Sequence, residues 1–74
     1  SYDIVSPRQE DVRIIYESTD VQVVESILEK YHVKFIIVGK QEREKYANLQ
    51  EEKFLELGRV VFQARETTIY SLTK

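Results

Sequence analysis

Apolar residues follow two rhythms along this chain. Between residues 9 and 31 they recur three and four apart, the spacing of one helix face. From 33 to 38 they run almost unbroken, and after residue 59 they gather in two short stretches rich in Val, Ile, Thr, Phe and Tyr. The first stretch opens with Ser6-Pro7-Arg8-Gln9, where Ser6 suits a cap, Pro7 the first helical position and Gln9 the capping-box position. A helix is expected from there to about Glu17, with Val12, Ile15 and Tyr16 turned inward. Ser18-Thr19-Asp20 interrupts it and caps a second helix to about Tyr31, whose stripe of Val23, Val24, Ile27, Leu28 and Tyr31 is the clearest in the chain.

The run VKFIIV over residues 33–38 predicts a strand buried on both faces, because alternation is missing and β-branched residues dominate. Gly39 ends it, a position where a glycine's backbone freedom is expected to matter. A charged turn of helix over 41–46 and a third helix over 49–57, with Phe54 and Leu57 inward, should follow. Gly58 stands where a left-handed helix cap belongs. Residues 59–63 and 67–72 read as a hairpin. Residues 1–5 suit a short edge strand or a tail.

The order α-α-β-α-β-β defines a small two-layer α/β (α+β) domain. A parallel crossover plus a closing hairpin gives a three- or four-stranded mixed sheet with helices packed on it. At 74 residues there is room for one domain, spanning 1–74.

Composition narrows the function more by exclusion than by indication. Hydrophobic content of 42% with 32% charged residues suits a folded chain, and a net charge of −2 without a basic stripe offers nucleic acid no electrostatic footing. With no cysteine and one histidine, His32, neither disulfides nor thiolate or multi-histidine metal sites arise; a carboxylate-only calcium or magnesium site stays open, but the acidic residues show no EF-hand-like spacing, and no metal and no cofactor is expected. No apolar run approaches the roughly 20 residues of a membrane span. The chain has no methionine at all, so a processed product or a piece cut from a longer protein is expected.

Several residues invite chemistry and a plainer reading beside it. Gly39-Lys40 follows a strand as phosphate loops do, but lacks the further glycines and the Ser/Thr of such a loop. Glu42, Glu44, Glu51 and Glu52 lie among Arg43, Lys45 and Lys53, the pattern of a solvated helix face and not of a desolvated acid/base pair. His32 reads as a connector near the surface, and no serine has a partner constellation. Among the 5 tyrosines, Tyr46 follows a charged run and is expected at the surface, where an aromatic can anchor a partner.

Read together, several short motifs carry a family resemblance. They are Asp11-x-Arg13 with Tyr16, Ser18-Thr19-Asp20, LEKY (28–31), VKFIIVG (33–39), ER-x-x-Y (42–46), KF (53–54), VF (61–62) and TIY (68–70). Their order is similar to the C-terminal soluble tail of the YYY family, polytopic membrane proteins of bacteria and archaea that resemble lipid-linked-sugar glycosyltransferases. Phe35 stands where a tyrosine is more usual. The resemblance implies that the remainder of the protein is a multi-pass membrane region bearing the transfer carboxylates, so that no catalytic residue falls within this chain. It also implies a position at the cell membrane on the extracytoplasmic side. The partners would be the membrane-embedded remainder of the parent, or an envelope glycan or protein. Gly39, Glu42, Arg43 and Tyr46 are the candidate interaction residues, Glu42 suited to capping turn amides and Arg43 to pairing with a carboxylate. The alternative is a free-standing cytoplasmic module binding a protein or small ligand.

Overall fold

The computed structural model describes residues 8–72; the proposed edge strand over 1–5 and the Ser6-Pro7 helix start lie outside the described residues. The elements in chain order are α1 (Gln9–Glu17), α2 (Val21–Lys30), β1 (Phe35–Val38), α3 (Lys40–Lys45), α4 (Lys53–Leu57), β2 (Arg59–Ala64) and β3 (Thr67–Ser71). This is a small mixed helix and strand domain with a three-stranded antiparallel sheet.

Asp20 caps α2, its Oδ1 accepting from the backbone N–H groups of Gln22 and Val23 at 3.1 and 3.2 Å. Val24 and Leu28 are buried and Ile27 packs beside them, as the stripe predicts, whereas Val23 is exposed. The backbone leaves α2 through Tyr31 and His32, where His32 takes φ 53 to turn the chain into β1.

The third helix is shorter than its pattern. Residues 46–52 form no helix, because their amides bond elsewhere: Asn48 N–H donates to the Glu17 carboxylate at 3.2 Å and Gln50 N–H to the Tyr16 carbonyl at 2.8 Å. Only α4 remains helical, with Phe54 fully buried and Leu57 nearly so.

The sheet order is β1-β3-β2, and both ladders are antiparallel, which corrects the mixed sheet expected from the strand–helix–strand order. The crossover survives in another form. β1 and β2 run in the same direction, but β3 lies between them, so the connection through α3 and α4 spans two strand spacings, about 10 Å. The strand with buried inward side chains on a tight turn, β3, takes the centre. The turn is Arg65-Glu66, with Arg65 at φ 54. β2 is left at the edge with every residue exposed, and its register slips between Val60 and Phe62 so that Val61 is an extra residue.

The core lies on one side of the sheet. Ile36 and Val38 of β1 and Tyr70 of β3 meet Ile15 of α1, Val24 and Leu28 of α2, and Phe54 and Leu57 of α4. β1 alternates, Phe35 and Ile37 being exposed and Ile36 and Val38 buried, so it is not a strand covered on both faces.

Candidate interaction surface

The segment Gly39-Lys-Gln-Glu-Arg-Glu-Lys-Tyr46 leaves β1 and is tied down at nearly every step. Gly39 is the N-cap of α3, and its N–H donates to Glu42 Oε1 at 2.8 Å, the capping role expected of Glu42. Gly39 has φ −119, ordinary extended backbone, so the glycine is not there for its dihedral freedom. Space there is tight. A Cβ there would sit 3.3 Å from both Glu42 Oε1 and Thr67 Oγ1.

Arg43 reaches back over the sheet end. Its Nη1 donates to the Val38 carbonyl at 3.0 Å and to the Glu66 carbonyl in the hairpin turn, while Nη2 pairs with Glu51 at 3.1 Å. Glu51 Oε2 in turn accepts from the Tyr70 hydroxyl at 2.6 Å. One guanidinium thus joins the end of β1, the β2–β3 turn and the 46–52 loop. Burial first, then the hydrogen bond to Glu51 and its charge, push the Tyr70 hydroxyl up to about 12, so it remains a donor.

Tyr46 is not at the surface. It is 8% exposed and stacks on Tyr16 with ring centroids 4.6 Å apart, because the charged run ends at the C-cap of α3, where Tyr46 meets the Tyr16 ring of α1. Tyr16 packs edge-on against Phe54 at 6.0 Å, and its hydroxyl donates to the Ile37 carbonyl at 2.7 Å, closing part of the outer edge of β1. The four candidate residues therefore come together as a brace on the fold, three of them through hydrogen bonds or ion pairs and Tyr46 through aromatic packing.

Lys53 was not singled out by its position in the sequence, yet it is 6% exposed. Its Nζ donates to the Tyr16 and Gln50 carbonyls, each at 2.9 Å, and burial pushes its ammonium down to about 8. The signal for it in the chain is slight, a lysine beside the most buried phenylalanine.

Nowhere among the described residues do ionisable groups converge on an enclosed hollow. One shallow groove runs past Glu10, Arg13, Glu17 and Lys45, another past Glu25, Glu29 and His32, and both open to solvent. Arg13 pairs with Glu10 and with Glu17 at the surface, where such pairs contribute little. His32 is exposed, as its connector position predicts. No group of three or more His, Asp or Glu among the described residues is placed to hold a metal ion. No described helix is long and apolar enough to cross a membrane.

What the sheet does expose is apolar. Cross-strand partners share a face, so Ile37 of β1, Ile69 of β3 and Phe62 of β2 form one row across all three strands on the side away from the helices. Phe35, two residues before Ile37, extends that row. Phe35 is 56% exposed, Ile37 51% and Phe62 50%. The extra residue Val61 adds a further exposed side chain at the edge. No described helix covers this outer face. The apolar run of residues 33–38 carried the signal, but a run without alternation does not say which face is covered.

Compared with protein families, characterised proteins and solved structures, the chain matches none.

Proposed function

We propose that this chain is a noncatalytic accessory module that works by docking, with the outer face of its sheet as the contact surface. It belongs to a larger membrane protein of the kind its motif order resembles, on the extracytoplasmic side. The observation that carries the reading is that Phe35, Ile37 and Phe62 lie open, with the half-buried Ile69 between them, on the side of the sheet that no described helix covers. The largest contiguous apolar patch on a protein surface is often a functional one. The candidate motif residues support the same reading from the other direction. Glu42 caps the Gly39 amide, Arg43 ties the Val38 carbonyl to Glu51, and Tyr46 stacks on Tyr16, contacts that suit a brace within the fold better than a reactive site. A protein surface suits the outer face better than a glycan, since sugar hydroxyls need polar partners and this row offers none.

Carbene footprinting of the isolated chain at high dilution, compared with the full-length protein, tests the proposal. The expected result is labelling of Phe35, Ile37 and Phe62 in the isolated chain and their protection in the full-length protein. Equal labelling in both, or glycosyl transfer by the isolated chain, would contradict it.

A further inference from the structure

The docking reading leaves the occupant of the outer face open, and the geometry points to a second copy of this chain, packed sheet against sheet. This inference rests on that reading and adds the partner.

Area is the first argument. A whole phenylalanine side chain covers about 200 Å² and an aliphatic one roughly 60–120 Å². At the exposures of Phe35, Ile37 and Phe62, with the half-buried Ile69 between them, the outer face presents roughly 300 Å² of apolar surface. Protein interfaces are about 57% apolar, so this patch is the apolar share of an interface of roughly 500 Å² per partner. Two copies would then bury about 1,000 Å² in total, which just clears the threshold for a specific association and places it among weak ones.

The second argument is self-complementarity. A two-fold interface sets each patch against itself, which penalises any like charge near its centre. The cross-strand row Ile37–Ile69–Phe62 carries no charge, and Arg59, the one charged residue of β2, stands in the neighbouring row Phe35–Ser71–Arg59, at the rim of the patch and not at its centre. Two such faces pack with their sheets about 10 Å apart and the helices of each copy on the outside.

The third argument separates this arrangement from its nearest rival, pairing of two β2 edges into one continuous sheet. The register slip between Val60 and Phe62 interrupts the row of edge amides and carbonyls that such pairing would use, and bulges commonly protect an edge in this way. The face is available where the edge is not.

Sedimentation equilibrium of the 74-residue chain from low micromolar to millimolar concentration is the test, run beside the double variant Ile37→Glu, Phe62→Glu and the edge variant Val61→Pro. The expected result is a concentration-dependent rise to twice the chain mass, retained by the edge variant and lost by the double variant. NMR spectra of the wild-type chain on dilution read the same contact without substitution, with shifts expected at Phe35, Ile37, Phe62 and Ile69. A monomer at every concentration overturns the inference. If the footprint in the full-length protein still shows protection, the face serves another surface and only the second copy falls; if it does not, the docking reading falls as well. A dimer lost in the edge variant and kept in the double variant overturns it in favour of edge pairing.

Discussion

At Lys53 one ammonium group joins the last turn of α1 to the loop before α4, donating to the Tyr16 and Gln50 carbonyls with no carboxylate among its hydrogen-bond partners. A cation near a helix C-terminus is favourably placed against the helix dipole, but burial works against its charge and pulls its pKa from 10.5 to about 8. The sign follows directly. Between about pH 8 and 10.5 the unfolded chain holds this proton and the folded chain has lost it, so stability rises with pH across that window. Tyr16 and Tyr70, raised from 10.0 to about 12 chiefly by burial, act oppositely above pH 10, because the unfolded chain loses those protons first. Urea unfolding from pH 7 to 11 should therefore show stability climbing to near pH 10 and then falling. In Lys53→Met the climb should vanish and the fall should remain.

Glycines give a second test at this scale. Gly58 has φ −165, extended and not left-handed, so its predicted helix-cap conformation is absent. Its need is steric: a Cβ there would lie 2.0 Å from the Ser71 carbonyl oxygen, a backbone atom that cannot swing aside. Gly58→Ala should cost about 2–4 kcal/mol and Gly39→Ala, whose neighbours are side-chain atoms, at least about 1 kcal/mol less. Denaturant midpoints of the two variants check the order.

Among the elements, α2 was the most legible, since an Asp cap and an unbroken 3.6-residue stripe agree with each other. Residues 49–57 were not, because Leu49 and Phe54 mimic helical spacing while Asn48 and Gln50 spend their amides on α1. Long-range hydrogen bonds of that kind leave no trace in local periodicity. The sheet order was hidden for a similar reason: the hairpin was plain, but which of its strands would meet β1 depends on side-chain burial across the fold. The expected capping by Glu42 and pairing by Arg43 are both present, whereas Gly39 does not use the backbone freedom expected of it and Tyr46 is buried, its charged neighbours concealing the ring stacked on Tyr16. Arg43 is where elements are joined. Its pair with Glu51 is partly exposed and worth about 0.5–1 kcal/mol by itself, while its bonds to the Val38 and Glu66 carbonyls raise the cost of removing it to about 1–3 kcal/mol. A double-mutant cycle with Arg43→Ala and Glu51→Gln should return only the smaller figure as coupling, because the carbonyl contacts do not involve Glu51.

For the whole molecule, the fold divides its labour between two sides of one sheet. The inner side gathers the core and is locked at its margins by the Glu42, Arg43 and Tyr46 brace. The outer side keeps an apolar row that contributes little to holding the chain together. Among the described residues the helices pack on one side of the sheet only, which leaves the row on the other side exposed. Urea unfolding of Arg43→Ala and Phe62→Glu, side by side and dilute enough to prevent association, tests that division most directly. The account predicts that Arg43→Ala loses about 1–3 kcal/mol while Phe62→Glu stays within about 0.5 kcal/mol of the parent chain. A Phe62 variant that unfolds readily, beside an Arg43 variant as stable as the original, would contradict it.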